Sequence, residues 1–315
     1  MEKIQPVDLK KIQTLSIKKR ENKVKIPLFG TLSNADDSFG QFLDSLPKIL
    51  KANDFKSVVD AIVKAKKGGK TIVWGMGDSI IKCGLSPLVI HMMKKGFVNA
   101  IALQGAGIIH DTEIGLIGET SEDVAVTIED GSFGMAEETG AILNDAIIEG
   151  VKGGIGIGEA VGKKLCELNI PNKDKSIMAM SYELGIPVTV HMAIGTDIIH
   201  MHPKADGAAI GEGTHIDFRK FASIVSRLSG GVILNMGSAV ILPEIFLKAL
   251  SVARNLGNKV SNFTTANFDM IQHYRPLENI VKRPVSSGGK GFAITGHHEI
   301  MIPLLVKAIL TRDTE

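Results

Sequence analysis

The chain has 315 residues, 44% of them hydrophobic and 22% charged, which is enough for a buried core in one large α/β domain or two modest ones. Its 36 basic and 34 acidic residues leave a formal charge of +2, a balance that gives nucleic acid and membrane surfaces no electrostatic footing as partners. Only Cys83 and Cys166 occur, which argues against a disulfide framework or a cysteine-rich zinc site, and no signal peptide or 18-residue apolar run is found, so a soluble cytoplasmic protein is expected.

Residues 1–35 are polar and irregular apart from "KVKIPLFGTL", and are expected to form an N-terminal arm; residues 36–315 show no composition break and read as a single domain. "SFGQFLDSLPKILKANDFKSVVDAIVKAKKGG" spaces its apolar residues by three and four, which predicts helices stopped by Gly68 and Gly69. "KTIVWGMGDSIIKCGLSPLVIHMMKKGFVNAIALQGAG" reads as strand, glycine turn, amphipathic helix, glycine stop at Gly96 and second strand. Such a βαβ unit implies a parallel sheet covered by helices. "EDVAVTI" suggests a further strand, and "AEETGAILNDAIIEGVKGG" and "GIGEAVGKKLCELNI" two helices. "SIMAMSYELGIPVTVHMAI", "DFRKFASIVSRLSGGVILNMG" and "EIFLKALSVARNLGNKVSNFTTA" each give helix, glycine stop and strand, and "HEIMIPLLVKAIL" gives a terminal helix. The fold class expected is α/β, with a doubly wound, mostly parallel sheet.

"TIVWGMGDS" sets a GxG turn between a strand and a helix, where ligands bind in open parallel sheets. Ile80 occupies the third glycine position of the dinucleotide fingerprint, so a plain tight turn remains the competing reading. Small residues also follow strands in "LQGAG", "IGTD" and "LNMGS", and four such ends in one sheet would line a continuous, nucleotide-sized crevice. "VHMAIGTDIIHMHPKADGAAIGEGTH" gathers His191, Asp197, His200, His202, Asp206, Glu212 and His215. These are ligand types for zinc or non-haem iron, yet neither HExxH nor a two-cysteine spacing is present; substrate binding or hydrogen-bonded loop histidines compete, and no metal is assigned. In "PVSSGGKGFAITGHHE", Pro284 and Gly291 break the phosphate-loop spacing, and adjacent His297 and His298 diverge on strand or helix. Lys290, desolvated at a crevice mouth, would be able to form an imine; a surface lysine is the alternative.

Taken in order, "MGDSIIKCG", "GFVNAIALQGAGIIHDTEIG", "AILNDAIIEG", "GEAVGKKL", "SIMAMSYELGIPVTVHMAIGTDIIHMH", "SGGVILNMG", "TTANFD" and "VSSGGK" resemble the deoxyhypusine synthase family over about residues 60–312. The resemblance implies a Rossmann-like domain, bound NAD, and a homotetramer with active sites at a dimer interface. It also implies transfer of the aminobutyl group of spermidine, through a lysine imine, to a lysine of a translation factor. It places Gly77, Asp78, Ser79, Gly105, Ala106, Gly237, Thr265, Ala266, His297 and His298 at the cofactor, Asp197 with His200 and His191 at the substrate, and Lys290 at the imine.

The departures are chemical. Ile109 and His110 stand where the family carries acidic residues, Ile241 and Leu242 where it carries paired histidines, "FDMIQHYRPLEN" where it is acid-rich, and a glycine where a tryptophan precedes the lysine. An amine cation needs carboxylates and an aromatic wall, and most of both are missing. The expectation is an NAD-binding transferase that acts through the Lys290 imine, with His110 as acid or base, on an amine not clearly spermidine. A nucleotide-binding protein in which Lys290 neutralises a phosphate stays open, as does a metal-assisted hydrolase or isomerase built on the His191–His215 stretch.

Overall fold

A computed structural model describes residues 3–314; Met1 and Glu2 of the expected arm and Glu315 of the expected domain lie outside the described residues. Residues 3–35 hold only the 3-10 turns Leu9–Lys11, Ile17–Lys19 and Ile26–Leu28, and Ile4, Leu15, Ile26 and Leu32 stay exposed. Lysines interrupt the apolar residues of this stretch too irregularly for any face to collect a buried stripe.

Two helices follow, α1 (Phe39–Ser45) and α2 (Leu50–Lys67). A capping box opens α1: Gln41 N donates to Ser38 Oγ at 3.3 Å and Ser38 N donates to Gln41 Oε1 at 2.7 Å. α2 buries Phe55, Val58, Val59, Ile62 and Val63, the stripe its apolar spacing dictates. Next come β1 (Ile72–Met76), α3 (Ser79–Lys82), α4 (Ser86–Lys94), β2 (Ala100–Gln104), α5 (Gly105–Ile117), α6 (Val124–Asp130), α7 (Glu137–Lys152), α8 (Ile157–Glu167) and α9 (Ile177–Glu183). The chain continues through β3 (Val188–His191), α10 (Gly207–Ser226), β4 (Val232–Met236), α11 (Ile241–Asn255) and β5 (Phe263–Asp269). It ends with α12 (Tyr274–Pro276), which runs on as a π-helical turn Leu277–Lys282, then β6 (Gly289–Thr295) and α13 (His298–Thr314).

All six strands are parallel, in the order β3-β2-β1-β4-β5-β6. Alternate residues of each strand serve opposite cores. Trp74, Met76, Leu234 and Phe268 pack on the face that carries α2 and α13, whereas Val73, Ile233 and Phe263 meet Phe221 of α10 and Phe246 of α11. The sheet is doubly wound and Rossmann-like. The order reverses between β1 and β4, whose register runs from Ile72↔Val232 to Met76↔Met236, and this switch point opens at the carboxyl ends of both strands.

Three local expectations are corrected. "EDVAVTI" is not a strand: Asp123 Oδ1 accepts from Ala125 N at 3.1 Å and Gly131 takes φ +80°, and these end signals outweigh the β propensity of Val124, Val126 and Ile128 to make α6. The helix after β1 is broken into α3 and α4 by Gly84, at φ +73°, with Pro87 restarting it in the first turn of α4. "GKGFAIT", taken as part of a loop, is the edge strand β6, paired with β5 from Phe263↔Gly289 to Asp269↔Thr295. Its glycines serve packing: a Cβ on Gly291 would lie 1.8 Å from the Val281 carbonyl oxygen of the π-helical turn. Among the described residues no helix is long and apolar enough to cross a membrane.

Candidate nucleotide crevice

The floor of the switch point is backbone against backbone. Gly77 N donates to Met236 O at 2.8 Å, and a Cβ on Gly77 would stand 2.4 Å from the carbonyl oxygen of Gly237. Gly237, at φ +74°, occupies the left-handed region that favours glycine. A Cβ there would meet Ser79 Oγ at 2.4 Å and His298 Nε2 at 2.8 Å. Ser79 Oγ and His298 Nδ1 are buried without a hydrogen-bond partner, so the two side chains that converge on Gly237 leave polar capacity unused. Burial holds the His298 imidazole below the ordinary histidine range, against the opposing charges of Asp269 and Glu299.

A polar bridge crosses from β1 to β4. Gln104, the last residue of β2, donates from Nε2 to Asp78 Oδ1 at 2.8 Å and accepts from Ser238 Oγ at 3.3 Å. Ser238 Oγ also accepts from Leu242 N at 3.2 Å, which occupies one amide in the first turn of α11. The other Asp78 oxygen, Oδ2, lies 3.8 Å from His110 Nε2 and 3.9 Å from Lys82 Nζ. Burial lowers the proton affinity of His110, with Asp78 and Glu113 opposing and Lys82 adding to the shift, so the ring is neutral near pH 7.

Asp197 closes the β2 side. A Cβ on Gly105 would fall 2.1 Å from Asp197 Oδ2, and the Ala106 amide donates to the same carboxylate, so Asp197 occupies the amino terminus of α5. Burial, with the neighbouring Asp78 charge adding, pushes this carboxyl up; His200 and the Thr196 hydroxyl pull the other way. His200 holds the loop in place, its Nδ1 accepting from Gly195 N at 3.1 Å and Asp197 N at 3.3 Å.

Gly77, Asp78, Ser79, Gly105, Ala106, His110, Asp197, His200, Gly237 and His298 thus gather at the carboxyl edge of the sheet, and His297 stays exposed beside them. Thr265, Ala266 and Lys290 do not, and His191, the last residue of β3, stands at that edge opposite Gln104 but turns its side chain away. Thr265 and Ala266 are fully buried in the middle of β5, where Thr265 Oγ1 donates to Ile280 O at 2.7 Å. The β5 residue that reaches the crevice is Asp269, the last of the strand. His191 points into the α10 core, 1% exposed and edge-on to Phe221, with burial lowering it to about 3. Lys290 is the second residue of β6, exposed at the amino edge, so the expectation of a lysine at the crevice mouth is corrected within one chain. About five strand residues, roughly 16 Å, separate it from the carboxyl edge.

The His191–His215 stretch disperses as well. His202 abuts Gly140 of α7, Asp206 caps α10, Glu212 pairs with Arg219 and His215 is exposed. No group of three or more His, Cys, Asp or Glu among the described residues is placed to hold a metal ion. Gln104, Ser238, Glu113 and Asp269 are the crevice residues that sequence reasoning missed. The first two stand in the strand-end stretches "LQGAG" and "LNMGS", where position alone was signal enough to find them.

No protein-family model and no curated protein sequence matches this chain. Solved structures do. A LOR/SDH-type protein from Methanococcus maripaludis S2 matches at a TM-score of 0.54 and 16% identity, over 84% of this chain and 71% of that one. A deoxyhypusine-synthase-like protein from Entamoeba histolytica matches at 0.50 and 11%, over 90% and 96%. The chain has a deoxyhypusine-synthase-like fold. The ternary complex of AgrE with ornithine and NAD+ matches at 0.53 and 14%, over 84% of this chain and 34% of AgrE, so the chain spans about a third of that protein. At such identities the likeness is one of fold.

Proposed function

We propose that the crevice binds NAD and that the protein is an NAD-dependent enzyme acting on a small amine. The observation that carries this reading is the cradle at the switch point: glycine-only contact between Gly77 and Gly237, with the unpartnered Ser79 Oγ and the Nε2 edge of a His298 ring whose Nδ1 is also unpartnered converging on it. A dinucleotide fits there because the glycines admit close backbone approach and the two orphaned groups await polar partners. Gly77, Ser79, Gly237 and His298 would hold it. When bound, NAD supplies a hydride acceptor.

The chain's own contribution is to orient and to move a proton. Asp78 Oδ2 and Asp197 present carboxylates toward an ammonium group. Neutral His110 accepts a proton at Nε2. The fold likeness to AgrE, whose complex holds ornithine and NAD+, supports the same class of ligands. Transfer of a group through a lysine imine is the narrower version, and Lys290 serves it only by reaching the crevice of another copy in an oligomer.

Calorimetric titration of the purified protein with NAD tests the proposal. Micromolar binding is expected, weakened at least roughly tenfold in Ser79→Ala and His298→Gln, each of which removes one cradle contact. Absence of binding by NAD, NADP and ADP alike would end it. Borohydride trapping with NAD and candidate amines, followed by peptide mass spectrometry, reads the narrower version; an unmodified Lys290 removes it.

A further inference from the structure

His110 and Glu113 lie one turn apart on α5, and a third residue joins them from beyond the helix. Gly118, at φ +77°, ends α5 and turns the chain back, so that Thr120 lies over the helix it has just left. Thr120 Oγ1 is 2.7 Å from His110 Nδ1 and 2.5 Å from Glu113 Oε2, and Glu113 Oε1 accepts from Thr139 Oγ1 at 3.1 Å. The His110 and Glu113 side chains are 15% and 18% exposed, so water competes little for these bonds.

Proton counting decides the direction of the chain. The Glu113 carboxylate is an acceptor only, so it takes the single proton of the Thr120 hydroxyl. Thr120 then offers His110 nothing but lone pairs, and the proton of the 2.7 Å contact belongs to Nδ1. A neutral imidazole has one N–H, so Nε2 carries the lone pair. That lone pair faces Asp78 Oδ2 at 3.8 Å, acceptor toward acceptor, with the Lys82 charge acting on the same ring. The space between is suited to a group that brings its own protons.

We propose that Glu113 and Thr120 are positioning residues that lock His110 in its Nδ1–H tautomer and keep Nε2 free to accept a proton in the crevice. The catalytic meaning of this lock rests on the NAD-enzyme reading above; the lock itself does not. Asp78 and Lys82 face the ring from beyond β1, and Glu113 from its own helix.

Long-range proton–nitrogen correlation spectra of the 15N-labelled full chain, with His110→Gln used to assign the signal, test it directly. The wild type should show Nδ1–H in roughly tenfold or greater excess over Nε2–H, as a charge-backed hydrogen bond of this kind confers. Thr120→Ser should keep that tautomer, and Thr120→Val should shift His110 toward Nε2–H, where Asp78 can accept. A wild-type His110 protonated at Nε2, or a Thr120→Val spectrum unchanged from wild type, overturns the inference. Titrating NAD into the same sample separates the two ideas: an intact Nδ1–H tautomer in a protein that ignores NAD sinks only the crevice reading.

Discussion

Replacing Gly77 with alanine loads the closest backbone contact in the molecule's switch point. The added Cβ would sit 2.4 Å from the Gly237 oxygen and 2.8 Å from its carbonyl carbon, and both are main-chain atoms with no rotamer to yield. Relief requires β1 and β4 to part by about 1 Å, because ordinary contact begins near 3.4 Å. Such overpacking costs about 1–3 kcal/mol. Straining the Gly77 N to Met236 O bond, 2.8 Å in the native chain, adds about 0.5–1.5 kcal/mol. The sum, about 1.5–4.5 kcal/mol, corresponds to a fall in Tm on the order of 2–7 °C for a chain of 315 residues, whose unfolding entropy is roughly 2.1 cal/mol/K per residue. Trp74 is the chain's single tryptophan, fully buried on β1, so its emission reports the loss of the sheet centre during a thermal melt. Gly211 is the control. It lies inside α10 with open space around it, and Gly211→Ala should raise stability by about 0.5–1 kcal/mol through helix propensity. NAD affinity should fall at least roughly tenfold in Gly77→Ala and stay level in Gly211→Ala. A Gly77→Ala protein that melts within about 1 °C of wild type and titrates identically with NAD would refute the geometry of the cradle.

Stability should also depend on pH through two buried carboxyls. Burial pushes Asp111 up to about 6 and Asp217 up to about 7, so the folded chain keeps protons that the unfolded chain releases, and stability drops as pH rises from about 4 to 7. Asp217→Asn escapes this loss; in urea melts it should gain roughly 2–3 kcal/mol on wild type between pH 5 and pH 8. His191, lowered to about 3, acts in the opposite direction and withdraws stability as pH falls below about 6.5. Lys290→Ala should leave Tm and NAD affinity unchanged, since the side chain is exposed and remote from the crevice; a tenfold loss of affinity would place it at the cofactor. Deleting residues 1–25 should shift Tm by no more than about 2 °C, because the side chains of residues 3–25 are all exposed; a larger drop would reveal a partner surface they cover.

The alternation of helices, glycine stops and apolar strands was legible because each signal is local, and it led directly to a doubly wound sheet. The misreadings arose where a tertiary contact outranked the local pattern. β6 begins among glycines that resemble a loop until Val281 and Phe263 are seen pressing on them. Missing that strand also misplaced Lys290, since its end of the sheet depends on where β6 begins. Thr265 and Ala266 failed by only a few residues, because a strand must be followed to its last position before its ligand-facing end is known. His191 and His200 are both histidines of one polar stretch, yet one enters the α10 core and the other pins the Asp197 loop; strand phase, invisible in composition, separates them. α5 follows β2 without a linker, and its first glycine is small so that Asp197 can dock, a pairing some ninety residues apart in sequence.

The pairing of β1 with β4 has a consequence for how the chain comes into being. Every residue of β1 is buried in the finished sheet, but its β4 neighbour begins only at Val232, more than 150 residues later. At about 5–20 residues per second of synthesis, one edge of Ile72–Met76 waits roughly 8–30 s for its partner. During that interval an apolar strand offers open hydrogen-bonding groups to any other chain nearby, the condition under which sheets aggregate edge to edge. A nascent chain stalled before Val232 should therefore need a holding chaperone, whereas one released after β4 should complete the sheet centre unaided.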